Sequence, residues 1–596
     1  MPTYRAPVKD MLYVLNDILH IEKYSKLPTF EDATPDLIAA ILKEGAKLCE
    51  EVIQPLNQIG DKEGCTRHDD GSVTTPAGFK EAYKLFTEGG WQGLNHTPDY
   101  GGQGLPYFMG VAMEEMLVSA NLAFAMYPGL TSGTIAILTM QGSDEEKAKW
   151  LPNLISGKWA GTMNLTEPHC GTDLGMLRTK AVPQDDGSYK ITGTKIFISS
   201  GEHDLTENII HFVLARTPDA PAGTKGISLF IVPKVLVNDD GSLGTRNTVS
   251  CGSLEEKMGI HGNATAVLNY EDATGYLFGE EHKGLRGMFV MMNAARLGVA
   301  VQGLAISEVA TQNAADYARE RLQGRSISGV KEADKPADPI IVHPDVRRML
   351  MDARAFNQGA RAFALWVGLM VDISRKSPDE DARKHADNLL NLLTPVLKGY
   401  LTDGGYRHAT AAQQVFGGAG YIVETGMEQF VRDARICQIY EGTNGIQALD
   451  LVGRKLPMEG GLPIRTYLEL MEHFFSENAD EPYAEFIDPL KTAVGDLQKA
   501  VLWFAQNGPA NPDNAGAGSV AFLYLLGTVA LGHMWAKMAI TSSKLLDAGA
   551  EDKDFHQNKL ITARYFIHRN LPDTAMYLRK IEAGAEDVMA LDAGAF

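Results

Sequence analysis

The chain has 596 residues, 44% hydrophobic and 22% charged, ordinary globular values that exclude a disordered, collagenous or coiled-coil protein. Lys and Arg number 55 against 75 Asp and Glu, a net charge of −20, which argues against a nucleic-acid binder because such proteins present a basic face to phosphates. The five cysteines are scattered, and neither CxxC nor HExxH occurs, so we predict no disulfide framework and no metal site.

The N-terminal sequence MPTYRAPVKDMLYVLNDILH lacks a basic segment followed by an apolar run and a cleavage site. We therefore expect a cytoplasmic protein without a signal peptide. Residues 1–35 are predicted to form an arm with a helical centre. Residues 36–160 are predicted to form a helical domain, because apolar residues recur at intervals of three and four. Within it, Ser143 and Glu146 have the spacing of a capping box.

Residues 161–283 carry the pattern of a β domain. Short runs rich in β-branched and aromatic residues alternate with the turn sequences DDG, PDAPAG and NDDG, and predict strands at 189–199, 209–216, 227–234 and 264–270. Such spacing is typical of an antiparallel sheet or barrel. No strand alternates with a helix, and GAGYIV at Gly418 lacks the third glycine of a dinucleotide fingerprint, so a Rossmann unit is not predicted.

The helical period returns over residues 284–456, and a further helical domain is predicted over 457–596, divided by a loop at 509–518. Residues 515–536 contain no Asp, Glu, Lys or Arg and are long enough for a membrane span, which needs about 20 apolar residues. Their glycines, hydroxyls and His533 favour a buried bundle helix, so we predict no span. The fold class is therefore α+β and multidomain, in the order α, β, α, α.

Five motifs follow one another along the chain, and together they resemble the acyl-CoA dehydrogenase family of flavoproteins over residues 36–455. The motifs are MNLTEPHCGTDLG (163–175), KIFISSG (195–201), EEKMGIHGNAT (255–265), QVFGGAGY (414–421) and RDARICQIYEGT (432–443). The resemblance implies the acyl-CoA dehydrogenase fold: an N-terminal α domain, a middle antiparallel β domain and a C-terminal four-helix bundle. Residues 457–596 are then an additional C-terminal helical domain.

The resemblance also implies a reaction, the FAD-dependent α,β-dehydrogenation of an acyl-CoA thioester. Glu441 is expected to abstract the α-proton while flavin N5 takes the β-hydrogen as hydride. A carboxylate suits this role when burial raises its pKa to roughly 6–7, and the adjacent Tyr440 and Gly442 carry no charge. Both neighbours are expected to contact substrate. The Glu441 N–H and a flavin ribityl hydroxyl would stabilise charge on the thioester oxygen.

Further residues match the family's flavin site. The isoalloxazine is expected to contact the TEP segment and the following strand, and the catalytic loop beside it, through Met163, Leu165, Thr166, Thr172, Phe197, Ser199, Thr443 and Asn444. Thr172 also matches a CoA contact. Three departures from the family pattern occur: His169 and Cys170 replace small residues, Phe197 stands where tryptophan is common, and RLQG at Arg321 replaces RxxFG.

Arg296 and Arg321 are predicted to lie at opposite ends of one helix, because no proline separates them and 25 residues rise about 37 Å. The resemblance places Arg296 near the acyl thioester, with Asn293 one turn earlier on the CoA side. It places Arg321 on the flavin pyrophosphate, near Gln414, Gly417 and Gly418. In related enzymes Arg321 and Gln414 would contact the flavin of a neighbouring subunit, which implies at least a homodimer. Two surface arginines are the alternative.

Three functions remain open at this stage. The first is a dehydrogenase that passes electrons to an electron-transfer flavoprotein; the second is an acyl-CoA oxidase; the third is a non-catalytic or DNA-associated member, which the net charge disfavours. The arm and the C-terminal extension resemble a branch that acts on 3-(methylthio)propanoyl-CoA in dimethylsulfoniopropionate breakdown. A short- or medium-chain enzyme of fatty-acid β-oxidation is the alternative, because the thioether is nearly isosteric with a methylene.

Overall fold

The computed structural model describes residues 2–479 and 481–596, and these form two compact units. The first unit comprises the chain as far as Glu44, Pro106–Glu115 and the chain from Val299 onward. The second comprises Gly45–Leu105 and Met116–Gly298. The N-terminal arm thus belongs with the helices that follow Val299, and the predicted division into five domains remains a prediction.

The order of helical and β regions along the chain agrees with the prediction, with helices on either side of a β region. The helices are α1 (Val8–Tyr13), α2 (Pro35–Leu48), α3 (Asn57–Glu63), α4 (Phe79–Glu88), α5 (Tyr107–Ala120), α6 (Leu122–Gln141), α7 (Asp144–Ile155), α8 (Gly284–Glu320), α9 (Pro344–Lys376), α10 (Glu380–Val415), α11 (Met427–Cys437), α12 (Asn444–Asp450), α13 (Leu462–Glu477), α14 (Ala484–Asn507), α15 (Pro512–Asp547), α16 (Lys553–Arg569), α17 (Asp573–Glu582) and α18 (Glu586–Met589). The strands are β1 (Thr66–Arg67), β2 (Val73–Thr74), β3 (Trp159–Asn164), β4 (Lys180–Pro183), β5 (Tyr189–Ile198), β6 (Asn208–Ala215), β7 (Ser228–Pro233), β8 (Val235–Val237), β9 (Leu243–Arg246), β10 (Val249–Leu254) and β11 (Ala266–Phe278).

The second unit is built on a seven-stranded sheet in the order β3-β6-β7-β11-β5-β4, with β10 pairing on β11. Its strand pairs are antiparallel except one: β3 and β6 run parallel, with Trp159 opposite Asn208. The predicted antiparallel sheet therefore includes one parallel pair. The chain forms β4 and β5 before it returns as β6, and a connection of that length allows two strands to run in the same direction.

The central strands of this sheet are covered on both faces. Every residue of β6 and β7 is buried, so these strands read as continuous apolar runs instead of alternating ones. The capping box at Ser143 and Glu146 is confirmed at the start of α7. Helix α6 packs beside β3, the strand whose C-terminal end continues into the predicted flavin-binding segment.

Two buried histidines should make the stability of the second unit fall in acid. Burial, with the charge of Lys234, lowers the pKa of His203 and of His211 from 6.5 to about 3. Both rings are neutral in the folded protein, whereas the unfolded chain takes up protons as the pH falls through 6.5. We expect their contribution to the free energy of unfolding to be lost between about pH 6.5 and 3, at about 1.4 kcal/mol per pKa unit.

The variant His211→Asn should flatten this pH dependence. His211 Nδ1 lies 2.7 Å from the Thr162 hydroxyl, and an asparagine amide can supply a polar partner there without titrating. Thermal unfolding followed by circular dichroism from neutral to mildly acidic pH measures the slope. His473→Asn, at an exposed histidine, is the matched control and should leave the slope unchanged. Identical slopes for His211→Asn and the native protein would contradict the assignment.

The first unit is a bundle in which α8 and α10 approach closely. A Cβ on Gly303 would lie 2.4 Å from the Leu401 carbonyl oxygen, and one on Gly405 would lie 2.3 Å from the Gly303 carbonyl oxygen. Only glycine fits at either position without displacing backbone. This close contact between α8 and α10 therefore fixes the helical turn of α10 that carries Thr402 and Asp403. Side chains of this turn contact the predicted catalytic loop.

The C-terminal extension is organised around α15, which packs against α14, α16 and α17. The predicted loop at 509–518 is shorter than expected, because α15 already begins at Pro512. The Asn511 side chain accepts a hydrogen bond from the Asp513 N–H, and Pro512 occupies the first helical position, a start that suits proline because its missing N–H is not needed there. Residues 513–518 are therefore helical instead of irregular.

Three helices are long and apolar enough to cross a membrane by length and composition: Leu122–Gln141, Gly284–Glu320 and Pro512–Asp547. The last contains the uncharged stretch 515–536. In that helix, 67% of the most apolar window is buried inside the protein. This burial supports the interpretation of 515–536 as the central helix of a packed domain.

A buried ion cluster joins the two ends of the chain in the first unit. Arg361 in α9 is 1% exposed, and its guanidinium contacts Asp10, Glu115 and Glu308 at 2.5, 2.5 and 3.0 Å. Lys559 in α16 pairs with the other oxygen of Asp10. Despite burial, the charges of Lys559 and Arg361 hold the pKa of Asp10 below its usual value. Burial raises the pKa of Glu115 to about 7, against the opposing charge of Arg361.

Candidate active site

The predicted base lies in a turn of unusual backbone conformation between α11 and α12. Glu441 has a φ of 57° and Gly442 a φ of 84°, so two successive residues are left-handed. This conformation costs a residue with a Cβ roughly 1–2 kcal/mol, whereas glycine adopts it freely. A strained non-glycine residue persists where the surrounding structure holds it, and such residues cluster at functional sites.

The carbonyl groups of this turn are held by two side chains. Gln447 Nε2 donates to the carbonyl oxygens of Glu441 and Gly442 at 3.1 and 3.2 Å. The Lys398 ammonium donates to the Gly442 carbonyl oxygen at 2.8 Å. Lys398 lies on α10 and is completely buried, so its charge is directed at the turn. The Glu441 side chain itself is half-buried, as a base that must reach a substrate requires.

Asn444 faces into the protein from the start of α12. Its Oδ1 accepts from Lys398 Nζ at 2.8 Å, and its Nδ2 donates to the Thr402 hydroxyl at 2.9 Å. The flavin contact predicted for Asn444 would therefore have to come from its backbone. Thr443 is exposed, and its hydroxyl accepts from the Ile446 N–H as the cap of α12. Its predicted flavin contact remains a prediction.

Tyr440 is anchored on the other side of the turn. Its hydroxyl donates to Gln302 Oε1 on α8. Burial, with the nearby Cys437 and the charges of Glu441 and Glu114, raises its pKa well above the ordinary value, so the phenol remains protonated. Burial raises the pKa of Glu114 to about 7. No motif or spacing singles out Glu114, because it stands in an apolar helix beside a second glutamate.

Phe197, which is predicted to lie beside the isoalloxazine, is a second residue with a strained backbone. It has a φ of 59° near the end of β5, and 59% of its surface is exposed. The neighbouring Ile198 is buried and Ser199 half-buried. An exposed aromatic ring on a left-handed residue does not serve the core of the sheet, and it fits a flat aromatic ligand.

The TEP segment is tied to β5 by a buried lysine. Lys195 Nζ donates to the Leu165 carbonyl oxygen at 2.9 Å and to Glu167 Oε1 at 2.8 Å, and the Ile196 N–H donates to the Thr166 carbonyl oxygen. Although burial opposes it, the charge of Lys195 and the surrounding hydrogen bonds hold the pKa of Glu167 below its usual value. The segment is therefore a rigid support in which Met163, Leu165 and Thr166 are half-buried.

The departures at His169 and Cys170 differ in burial: His169 is exposed and Cys170 is buried. Ligand atoms of Glu167, His169 and Cys170 lie within 4.8 Å of one another. The Glu167 carboxylate, however, already accepts hydrogen bonds from Lys195, Thr179 and the Arg178 N–H. A cation would have to displace the buried ammonium, so these residues favour a structural role. Thr172, which follows them, is exposed as a ligand contact requires.

The predicted adenosine-diphosphate contacts come together at one end of the first unit. Tyr317, in the last turn of α8, stacks on Phe416 with ring centroids 4.1 Å apart. This stack joins the helix end before Arg321 to the segment that carries Gln414, Gly417 and Gly418, all of them exposed. No atom lies within 4 Å of a Cβ built on either glycine, so the segment leaves room for a ligand against its backbone.

The single helix predicted between Arg296 and Arg321 is confirmed, since α8 extends from Gly284 to Glu320. Arg321 follows the last helical residue, and its backbone N–H and carbonyl oxygen are both hydrogen-bonded, to Tyr317 and Ile340. Arg296 is buried and Asn293 is exposed. Their substrate contacts remain predictions.

The fold and these motifs define an acyl-CoA-oxidising flavoprotein, and comparison with known proteins agrees. Residues 40–158, 162–273 and 282–456 match the N-terminal, middle and C-terminal domains of acyl-CoA dehydrogenases. Residues 467–592 match the domain described as acetyl-CoA dehydrogenase C-terminal like. The chain therefore belongs to the acyl-CoA dehydrogenase family of FAD-dependent oxidoreductases.

Relatives match over the whole chain. The 3-methylmercaptopropionyl-CoA dehydrogenase of Ruegeria pomeroyi is 44% identical over 99% of this chain and 98% of its own length. The broad-specificity linear acyl-CoA dehydrogenase FadE5 of Mycobacterium tuberculosis is 34% identical over the full length of both proteins. The solved structure of Caenorhabditis elegans ACDH-11 in complex with C11-CoA has a TM-score of 0.79 at 19% identity, covering 99% of this chain and 96% of that one, which supports the fold.

Proposed function

We propose that this acyl-CoA dehydrogenase converts 3-(methylthio)propanoyl-CoA to 3-(methylthio)acryloyl-CoA in dimethylsulfoniopropionate catabolism. The observation that carries the proposal is the likeness to the Ruegeria pomeroyi enzyme, which extends over both chain ends, including the N-terminal arm and the C-terminal extension. The acyl chain of this substrate is nearly isosteric with pentanoyl, since sulfur replaces one methylene. A short acyl-CoA site would therefore accept both.

In this reaction Glu441 takes the α-proton of the thioester. FAD, when bound, supplies the acceptor for the β-hydrogen and its two electrons. The left-handed turn at Glu441 and Gly442 holds the carboxylate in place, and Lys398 and Gln447 keep the turn from relaxing. The buried ammonium of Lys398 close to the turn also favours negative charge developing on the substrate, because charges interact strongly away from water.

Each unit, taken by itself, carries groups suited to part of the flavin. In the second unit, Phe197 offers an exposed ring and the TEP segment a rigid backbone. In the first, Arg321 and Gln414 stand beside an exposed glycine pair, a combination suited to a pyrophosphate because arginine is a planar donor and glycine lets backbone approach. The adjacent Tyr421 and Val423 are 81% and 70% exposed, which supports a homodimer in which this face meets a second subunit.

Arg321→Ala should loosen the flavin without unfolding the protein. Arg321 is exposed, and its backbone position is fixed by hydrogen bonds that alanine retains. We expect a lower ratio of flavin to protein after dialysis, read from the absorbance near the flavin band, and an unchanged circular dichroism spectrum. Arg319→Ala is the control, since Arg319 pairs with Asp316. Equal flavin occupancy in both variants would refute the role of Arg321.

The substrate assignment is tested by comparing kcat/KM for 3-(methylthio)propanoyl-CoA with the straight-chain series from butanoyl- to octanoyl-CoA and with dodecanoyl-CoA. We expect the thioether and pentanoyl-CoA to be the best substrates. Each additional methylene is expected to lower kcat/KM, because one misfitting methylene is worth about 1–3 kcal/mol. A preference for dodecanoyl-CoA would overturn the short-chain assignment.

A general linear acyl-CoA dehydrogenase is the second candidate, favoured by the likeness to the Mycobacterium tuberculosis enzyme. Similar kcat/KM values across the straight-chain series would support it over the thioether enzyme. For either substrate we propose an electron-transfer flavoprotein as the electron acceptor. Stoichiometric hydrogen peroxide from turnover under air would instead identify an acyl-CoA oxidase.

A further inference from the structure

Helix α10 carries a carboxylate directly behind the catalytic turn. Asp403 Oδ1 accepts from Asn444 Nδ2 at 2.7 Å and from Gln438 Nε2 at 2.6 Å. Gln438 is the residue after α11, and its carbonyl oxygen also accepts from the Asn444 N–H. Asp403 therefore ties together the residues on both sides of the turn that contains Glu441.

The other oxygen of Asp403 is held by the C-terminal extension. The Tyr524 hydroxyl, on α15, donates to Asp403 Oδ2 at 2.5 Å. Burial and the Asp403 charge raise the pKa of this phenol, so it acts as a donor at every working pH. The Tyr524 ring is itself stacked on Tyr577 of α17, with centroids 5.6 Å apart. The hydroxyl is thus aimed at Asp403 by two helices of the extension.

We propose that Tyr524 is a positioning residue for the catalytic base, acting through Asp403 and the side chains of Gln438 and Asn444. This inference rests on the proposed role of Glu441 and assigns the C-terminal extension a function in the reaction. Asp403 has three hydrogen-bond donors at short distance, and its geometry is defined only when all three are present. Losing the donor from α15 frees one oxygen and lets the carboxylate rotate away from the turn.

A small rotation of the Asp403 carboxylate should have a large effect on the rate, because the turn that it supports must hold Glu441 in one position. Glu441 is held in a left-handed conformation by its neighbours, and displacement of a reacting group by about 1 Å can lower a rate as much as a hundredfold. The substrate and flavin contacts proposed above do not include Tyr524. Its loss should therefore lower the rate of the chemical step and leave KM and flavin content unchanged.

The test is Tyr524→Phe, which removes one hydroxyl and keeps the ring stack. Tyr400→Phe is the matched control: it removes a hydroxyl of the same α10–α15 contact, one that pairs with Thr528 at 3.3 Å and not with Asp403. The rate of flavin reduction by saturating acyl-CoA in a stopped-flow instrument isolates the chemical step. We expect about a tenfold lower rate for Tyr524→Phe, with KM, flavin content and thermal midpoint matching those of Tyr400→Phe.

Equal flavin-reduction rates in the two variants would overturn the proposal. Asp403→Asn is the second variant, chosen because it keeps the shape of the side chain but replaces one of the two acceptor oxygens with an NH2 group, so that the three donors can no longer all be accepted. It should lower the same rate by at least as much as Tyr524→Phe, and an unchanged rate would also overturn the proposal. Failure of the native protein to reduce its flavin with any acyl-CoA would instead contradict the role of Glu441.

Discussion

Replacement of Glu441 by glutamine should lower dehydrogenation at least a hundredfold. General-base catalysis typically contributes 10²–10⁴-fold, and glutamine has the shape of glutamate but cannot accept the α-proton. The backbone N–H at position 441 is retained, and the carbonyl groups of the turn keep their bonds to Gln447 and Lys398. The variant should therefore be yellow and should still bind a CoA thioester.

Steady-state reduction of an electron-accepting dye by acyl-CoA measures the loss, and titration of the flavin spectrum with acyl-CoA measures binding. Glu459→Gln is a matched control, because Glu459 is a second glutamate with positive φ, 48°, but is exposed. It should retain full activity. Activity of Glu441→Gln above about one hundredth of the native value would remove Glu441 from the role of base.

Arg361→Met should cost about 3–5 kcal/mol of stability, the range measured when one partner of a buried ion pair is removed. The substitution leaves Asp10, Glu115 and Glu308 close together with only Lys559 to balance them. This loss of stability should shrink as the pH falls through about 7. Burial already raises the pKa of Glu115, and its protonation removes one of the three negative charges that repel one another in the variant.

Chemical denaturation at two pH values, followed by circular dichroism, measures this loss. Arg564→Met is the matched control: Arg564 makes a two-point contact with Glu485 at 2.8 Å, but both side chains are about half exposed. Exposed pairs contribute about 1 kcal/mol or less. Similar losses in the two variants would show that the buried cluster contributes no more than a surface pair.

Local patterns predicted the elements of this fold better than their pairing. The strand at 189–199 was predicted from its β-branched and aromatic residues, and the helix between Arg296 and Arg321 from the absence of proline; both occur. The parallel pairing of β3 with β6 joins segments about 50 residues apart, and no local pattern reports which strands become neighbours. The early start of α15 was missed because its glycines were interpreted as a loop, whereas packing against Phe504 makes Gly518 part of a helix.

In the candidate site, likewise, the residues were easier to predict than their conformation and contacts. Motifs indicated Glu441, Phe197 and Arg321 as residues, but the left-handed backbone of the first two depends on surrounding contacts that composition does not show. Lys195 and Lys398 were missed because lysine is usually exposed. Each nevertheless left a signal: Lys195 stands four positions after Ile191, on the same face of the strand, and Lys398 interrupts the apolar run LTPVLKGYL on a buried helix.

The cluster around Arg361 also has a consequence for biosynthesis. Asp10 and Lys559 are 549 residues apart in the chain, so the partner that completes the cluster is synthesised long after Asp10. Until α16 has been synthesised, Arg361 and Asp10 cannot reach their final environment. The arm and the bundle then expose apolar surface, which makes the incomplete chain prone to aggregation. A nascent chain truncated before α16 should accordingly depend on chaperones, and a stop codon between α9 and α16 should be nearly as damaging as one near Asp10.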